Sequence, residues 1–134
     1  MSMSPAKQLV LDYVAAFNAG DIERVRALFA SDARIWGVLG SGGLDVAAPI
    51  WRELHDAMGM HLEVKALVEE GNSVSARFVE TGCFVAPFRG LAGHVPTGRN
   101  YEINAIEWFE IADGRITNRW GARDSAAITR QVLG

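Results

Sequence analysis

The stretch that decides the fold is PTGRNYEINAIEWFEIADGRITNRWGARD, residues 96–124. It contains two runs of alternating apolar and polar residues, separated by Asp113-Gly114. This dipeptide favours a type I′ hairpin turn, because both residues tolerate positive φ angles. A two-residue loop pairs Ala112 with Arg115, and the register of both strands follows from that pair. The stretch therefore predicts a long antiparallel hairpin.

The predicted register assigns each side chain of this hairpin to one of two faces. The mostly apolar face pairs Ile111–Ile116, Phe109–Asn118, Glu107–Trp120, Ala105–Ala122 and Ile103–Asp124. The other face pairs Glu110–Thr117, Trp108–Arg119, Ile106–Gly121 and Asn104–Arg123. The apolar face is expected to pack against a core, so the carboxylates of Glu107 and Asp124 are out of place there.

Both carboxylates are candidates for proton chemistry. An unpaired buried charge is costly, and burial raises the pKa of a carboxyl group toward the range in which a general acid or base works. Asp124 is the preferred catalytic candidate and Glu107 the second. The structural alternative for Asp124 is an N-cap, because residues 125–133 have a helical pattern and Asp is a favoured cap residue.

A second hairpin is predicted around the three-residue loop Glu70-Gly71-Asn72. In the resulting register the facing pairs are Val68–Val74, Ala66–Ala76, Val64–Phe78 and Leu62–Glu80. This register places Glu80 on the inner face as a third carboxylate. Its alternative is an edge residue close to solvent at the end of its strand.

The remaining pattern predicts helices first and strands afterwards. Helices are predicted from Ser4-Pro5 to Gly20, from the cap Asp21 onward, over residues 46–58 and over residues 125–133. Strands are predicted over residues 33–39, 62–69 and 73–83, besides the terminal hairpin. This order indicates an α+β fold in which N-terminal helices wrap a curved, mostly antiparallel sheet into a cone with a dry interior.

Length, composition and charge restrict the function. The 134 residues fit a single domain, expected over residues 1–134, with room for a small pocket. The net charge of −3, with scattered basic residues, predicts no nucleic-acid or anionic-membrane partner. Because the sequence shows neither a secretory leader nor a run long enough to span a bilayer, we expect a cytoplasmic protein.

The motifs predict neither a metal nor a cofactor. The three histidines, His55, His61 and His94, lack the spacing of metal ligands. Gly40–Gly43 lacks the partners of a phosphate-binding loop and is interpreted as a flexible loop near a pocket mouth. The single cysteine, Cys83, is interpreted as a small core residue.

Three stretches resemble one family of small enzymes. They are AAFNAGDIERVRALFASDA (residues 15–33), VEEGNSVSARFVETG (residues 68–82) and the C-terminal residues 96–134, in which a Trp is followed four residues later by an Asp. Together they resemble the SnoaL-like polyketide cyclases of the nuclear-transport-factor-2-like superfamily. The resemblance implies a cone-shaped, cystatin-like α+β barrel, a homodimer or tetramer, and cofactor-free intramolecular aldol cyclisation with Asp124 as the acid/base.

The chain departs from this family at two positions. Gly82-Cys83-Phe84 stands where many relatives carry Gly-Thr-His, and Glu107 stands where anthracycline-type cyclases have an inward His. A carboxyl group can replace an imidazolium as a donor only when it is protonated. Limonene-epoxide hydrolases resemble the same C-terminal stretch, but their Arg-x-Asp falls at Leu91-Ala92-Gly93, so epoxide hydrolysis is disfavoured.

The leading hypothesis is an enzyme in which Asp124 removes a proton from a carbon activated by carbonyl groups, and the enolate attacks a carbonyl of the same molecule. A pocket for a hydrophobic small molecule is predicted from Trp120, Phe109, Phe78, Trp36, Tyr13, Glu80 and His94. The alternatives are a ligand-binding module without turnover, and an isomerase or cofactor-free hydroxylase. The outward side chains of Ile106 and Trp108 predict a two-fold dimer interface.

Overall fold

Four α-helices and six strands follow one another along residues 3–134, the part of the chain that this computed structural model describes. In chain order they are α1 (Pro5–Asn18), α2 (Ile22–Ala27), β1 (Phe29–Gly37), β2 (Gly40–Gly42), α3 (Leu44–Met58), β3 (His61–Glu70), β4 (Ser73–Cys83), β5 (Asn100–Ala112), β6 (Arg115–Arg123) and α4 (Ser125–Leu133). A short 3-10 helix, Arg89–Leu91, lies between β4 and β5. Every predicted helix and strand is present, and β2 forms within the predicted glycine loop.

The helix starts are decided by local side chains. The hydroxyl of Ser4 accepts a hydrogen bond from the Lys7 N–H at 3.1 Å, and Pro5 occupies the first turn of α1. Asp21 caps α2 in the same way by accepting from the Arg24 N–H at 3.1 Å. These caps satisfy N–H groups that have no partner within the helix, which is why the sequence alone places them well.

The six strands form one sheet in the order β2-β1-β6-β5-β4-β3. Strand β1 runs parallel to β6, and all other neighbours are antiparallel. Helices α1 and α3 pack against this sheet, and α4 packs against β5. The curved sheet covered by helices confirms the predicted α+β, cone-shaped architecture.

The space between helices and sheet is filled by aromatic and aliphatic side chains. Tyr13 packs edge-to-face against Phe29 and Phe109, with ring centroids 6.0 and 5.3 Å apart. Phe78 and Phe109 are completely buried in the same cluster. Aromatic side chains bury large apolar areas, so this cluster anchors α1 to the sheet.

The register of the β5–β6 hairpin differs from the prediction beyond the turn. Asp113-Gly114 forms the predicted turn, with φ angles of 53° and 73°. The next two pairs, Ala112–Arg115 and Ile111–Ile116, are as predicted, but Thr117 then bulges out of β6, so that Glu110 faces Asn118. A bulge places two residues of one strand opposite one residue of its partner, and every later pair moves by one.

Because of the bulge, the side chains of β6 beyond Thr117 lie on the opposite face of the sheet from the one predicted. Arg119 and Arg123 lie inside, with 9% and 12% of their side-chain surface exposed, and Gly121 lies between them. Trp120 is 37% exposed on the outward face. The predicted inward position of Trp120 and the predicted outward positions of both arginines are therefore wrong.

Asp124 is exposed and follows the last residue of β6. Its carboxylate accepts a hydrogen bond from the Ala127 N–H at 2.9 Å and caps α4. The predicted inward position of Asp124 is wrong, because it was extrapolated through the bulge. The structural alternative, a helix cap, is the position that the fold gives it.

The β3–β4 hairpin shows the reverse pattern. Its loop has two residues, Gly71-Asn72, instead of the three predicted, so Val68 faces Ser75. A bulge at Lys65 then restores the predicted register. The facing pairs beyond it are Val64–Phe78 and Leu62–Glu80, as predicted. Glu80 is completely buried, so its alternative as a solvent-exposed edge residue is wrong.

The outward face of the sheet carries three tryptophans. Trp36 and Trp120 stack with ring centroids 4.9 Å apart and planes 6° from parallel. Trp108 faces Trp120 across the β5–β6 ladder and is 48% exposed, and nearby Ile106 is 51% exposed. With both arginines inside, this face is more apolar than the sequence predicts. Exposed apolar areas of this kind mark contact surfaces.

We expect this tryptophan face, defined by Trp36, Ile106, Trp108 and Trp120, to pair with a second copy of the chain, since a two-fold dimer is the commonest oligomer. Light scattering at micromolar concentration should give a dimer mass, and Trp108→Glu should give a monomer mass because it buries an unpaired charge. Val95→Glu, on an exposed loop residue, is the control that should remain dimeric. A monomeric wild-type protein would contradict the expectation.

Candidate active site

A cavity opens between α3, the β1–β2 hairpin and the inner face of β5 and β6. The interior offers about 50 Å³ to water-sized molecules, and the volume is about 550 Å³ when the open mouth is included. Most of its wall is apolar and comes from Ile35, Val38, Leu39, Val46, Ala47, Ile50, Trp51, Leu54 and Met60. Its floor is polar and comes from Tyr13, Glu107, Arg119 and Arg123. The cavity therefore suits a molecule with an apolar body and a polar edge.

The centre of the floor is the triad Tyr13–Glu107–Arg119. Arg119 Nη1 donates to Glu107 Oε1 at 2.5 Å, and the Tyr13 hydroxyl donates to the same oxygen at 3.1 Å. Glu107 and Arg119 are 6% and 8% exposed. A carboxylate and a guanidinium are tolerated at this depth because each neutralises the other across a short hydrogen bond.

One glycine makes room for the guanidinium of Arg119. A Cβ atom on Gly121 would lie 2.5 Å from Arg119 Nη1, closer than any side chain can approach. The head of Arg119 thus occupies space that a side chain at position 121 would need.

One polar atom on each member of the ion pair is buried without a partner in residues 3–134. Among residues 3–134, Glu107 Oε2 and Arg119 Nε are buried without any hydrogen bond. A buried polar atom left without a partner costs about 1–3 kcal/mol, and such atoms concentrate at functional sites. The triad therefore holds its geometry through two hydrogen bonds while one oxygen and one nitrogen remain unsatisfied.

A second triad, Tyr101–Glu80–Arg123, lies beside the first. Arg123 Nε and Nη2 donate to the two oxygens of Glu80 at 2.8 and 2.5 Å, and the Tyr101 hydroxyl donates to Oε2 at 2.6 Å. Glu80 is completely buried and both of its oxygens are engaged. Arg123 also lines the cavity, so Glu80 and Tyr101 hold it in place from behind.

Burial and the neighbouring charges determine which groups carry protons. Burial raises the pKa of the Tyr13 and Tyr101 hydroxyls, and the carboxylates of Glu107 and Glu80 raise it further. Burial acts to lower the pKa of Arg119, but the charge of Glu107, the neighbouring Tyr13 and the hydrogen bond to Glu107 together raise it. Both tyrosines are therefore protonated donors and Arg119 is a cation at ordinary pH.

The structure brings three of the predicted site residues together. Glu107 and Tyr13 lie on the cavity floor and contact each other. Glu80 lies behind the floor and reaches the cavity through its ion pair with Arg123. Asp124, the preferred catalytic candidate, is exposed on the N-terminus of α4.

The other predicted pocket residues lie elsewhere. Within residues 3–134 the cavity lining does not include Phe78 or Phe109, which are buried in the core. Trp36 and Trp120 stack on the outward face. His94 is exposed in the segment between β4 and β5. These positions correct the predicted composition of the pocket.

Sequence reasoning missed Arg119, Arg123 and Trp51 as residues of the cavity. The signal that could have found the arginines is electrostatic. Glu107 and Glu80 were both predicted on the inner face, where a carboxylate requires a cation. Arg119 and Arg123 are four residues apart on β6, so their side chains share one face of the sheet. They could supply two such cations, but only in a register that contains a bulge.

Across residues 3–134 there is no group of three or more His, Cys, Asp or Glu side chains that could hold a metal ion. In the same part of the chain, no helix has both the length and the hydropathy needed to cross a bilayer.

The comparisons with known proteins agree with this architecture. The model of the SnoaL-like domain matches residues 10–119. IdmH from Streptomyces antibioticus, a candidate polyketide cyclase, is 26% identical, with 96% of this chain and 98% of that chain covered and a TM-score of 0.83. A candidate polyketide cyclase from Pseudomonas putida KT2440 is 25% identical, with 98% and 99% covered and a TM-score of 0.80.

A third structure supports the fold alone. AclR from Streptomyces galilaeus, a candidate hydroxylase, is 22% identical, with 96% of this chain and 80% of that chain covered and a TM-score of 0.84. No curated protein matches the chain. The family match covers most of the sequence, and the cone of helices and curved sheet is shared with these structures. The chain belongs to the family of SnoaL-like domains.

Proposed function

We propose that the protein is an enzyme that moves a proton to and from a carbon beside a carbonyl group of a hydrophobic small molecule, with Glu107 as the acid/base. One observation carries this proposal. Glu107 lines the cavity with one oxygen held by Tyr13 and Arg119, while Oε2 has no partner within residues 3–134. An oriented carboxylate with a free oxygen beside an apolar wall is suited to proton transfer.

Arg119 supplies the charge stabilisation that such a reaction needs. Removing a proton beside a carbonyl group moves negative charge onto the carbonyl oxygen. The guanidinium of Arg119 is hydrogen-bonded to Glu107, so a carbonyl oxygen placed next to Glu107 would lie close to its positive charge. A fixed cation in a site with little water stabilises that charge more strongly than water does.

The reaction that this site supports best is an intramolecular aldol cyclisation. Glu107 takes the proton from the carbon, the resulting enolate forms a carbon–carbon bond to a second carbonyl of the same molecule, and the alkoxide takes the proton back from Glu107. One proton leaves and one returns, so no oxidant or reductant is consumed. The similarity to two candidate polyketide cyclases at 25% and 26% identity supports this choice.

A ligand-binding module without turnover is the second candidate. The observation that favours it is that both inward carboxylates, Glu107 and Glu80, are paired with arginines. A carboxylate held by a guanidinium is a weaker base than a free one. Asp124, which has no such partner, lies outside the cavity.

Exchange of α-protons for deuterium separates the two candidates without knowledge of the substrate. The probe is the methyl ketone 2-acetylnaphthalene in D₂O, followed by proton NMR. Wild-type protein should accelerate exchange, and Glu107→Gln should slow it by about 10²–10⁴-fold, because the amide cannot accept the proton. Glu102→Gln, on an exposed residue of the same strand, is the matched control.

A second variant, Glu107→Asp, distinguishes loss of the base from loss of the folded structure. Glu107→Gln leaves the charge of Arg119 buried, whereas Glu107→Asp keeps the ion pair's charge and withdraws the base by one methylene group. Slow exchange in both variants, with binding of the ketone retained by calorimetry, supports the enzyme. Wild-type exchange no faster than in buffer, with the ketone bound, would establish the binding module instead.

Asp124 is tested separately from the cavity. Asp124→Ala should lower the free energy of unfolding by about 0.5–2 kcal/mol, because the Ala127 N–H loses its cap, while Asp124→Asn should preserve most of it. We expect both variants to exchange the probe at the wild-type rate. If exchange were lost in Asp124→Asn while stability is kept, the acid/base role would return to Asp124.

A further inference from the structure

We infer that the cavity selects molecules bearing a carboxylate, which Arg123 binds beside the Glu107–Arg119 pair. This inference rests on the proposed function and names its substrate class, a hydrophobic keto acid. The carbonyl end would lie at Glu107 and Arg119, and the carboxylate end at Arg123.

Arg119, Gly121 and Arg123 alternate along β6, and all three line the cavity. Four residues of a strand span about 13 Å, so the two arginines enter the floor at separate points. Gly121 has no side chain, and the head of Arg119 occupies the space beside it. The floor therefore presents two cationic groups, of which Arg123 is the one at the end of β6.

The hydrogen bonds within residues 3–134 leave an excess of donors on these arginines. Glu80 engages Nε and Nη2 of Arg123, and Nη1 makes no hydrogen bond. Glu107 engages Nη1 of Arg119, and neither Nε nor Nη2 makes one. Against these three nitrogens, one carboxylate oxygen, Glu107 Oε2, has no donor. The missing acceptors must come from water or from a ligand.

Arg123 is better suited than Arg119 to hold a carboxylate. Its partner Glu80 is already saturated by three hydrogen bonds, so the ligand does not have to displace it. Glu80 and Tyr101 also hold the guanidinium in place, which lowers the entropy lost on binding. Charge-assisted hydrogen bonds from arginine to carboxylate are about twice as strong as neutral ones, so a charged ligand gains more than a ketone or an ester.

The facing wall determines the rest of the molecule. Ile50, Trp51 and Leu54 of α3 lie on the other side of the cavity. An aromatic body packs well on such a wall, and its polar groups would then point to the floor. The ligand class is therefore an aromatic or polycyclic ketone with a carboxylate at its far end.

Three matched probes test this inference by calorimetry. They are 6-acetyl-2-naphthoic acid, its methyl ester and 2-acetylnaphthalene, which differ only in the group expected at Arg123. The acid should bind wild-type protein at least about tenfold more tightly than the ester, the minimum expected from one hydrogen bond to a charged group. Arg123→Met should remove this preference and change the ester's affinity less than twofold.

Two further variants control for the buried charge of Glu80 and for the loss of an arginine elsewhere in the chain. Arg123→Met leaves Glu80 buried without a cation, so the double variant Glu80→Gln with Arg123→Met, which removes both charges, is measured alongside it. Arg24→Met, on an exposed arginine of α2, should keep the wild-type preference. Binding of the ester to every variant shows that the cavity is intact.

The outcomes separate this inference from the proposed function. Equal binding of acid and ester, or a preference that survives in both Arg123 variants, overturns the carboxylate site, whether or not Glu107 governs proton exchange. An acid preference that depends on Arg123, together with exchange that ignores Glu107, supports the carboxylate site and rejects the catalytic role of Glu107.

Discussion

The buried ion pair between Glu107 and Arg119 constrains the structure around it. Removing either charge from water costs several kcal/mol, and removing one partner of such a pair typically costs about 3–5 kcal/mol. The fold meets this requirement by placing the two groups 2.5 Å apart, with Tyr13 as an additional donor. Gly121 leaves the space that the guanidinium occupies, and the bulge at Thr117 sets the register in which Arg119 faces inward.

The two triads on the inner face of the sheet differ in how many of their polar atoms are hydrogen-bonded. Glu80 is saturated, so its triad adds rigidity to the floor without offering an acceptor to a ligand. Within residues 3–134, Glu107 Oε2 and Arg119 Nε are buried without a partner. A saturated triad and an unsaturated one thus lie side by side, and Arg123 belongs to both the saturated triad and the cavity.

Most of the fold could be predicted from local sequence signals. Ser4, Asp21 and the turn at Asp113-Gly114 act on the backbone within a few residues, so the helix starts and the hairpin turn were right. The site could not be predicted equally well, because register depends on every residue between the turn and the site. Thr117 and Lys65 lie in stretches whose polarity fits either face, and nothing in the alternation marks them as bulges.

The bulge at Thr117 also determines where the chain can change in length. Deleting Thr117 would regularise the ladder and leave both arginines on the inner face, since the bulged residue is the surplus one. Deleting Trp120 instead would move Arg123 to the outer face. Glu80 would then remain buried without its cation. The hairpin can therefore absorb insertions and deletions near its turn during evolution, while the five residues from Arg119 to Arg123 must keep their number.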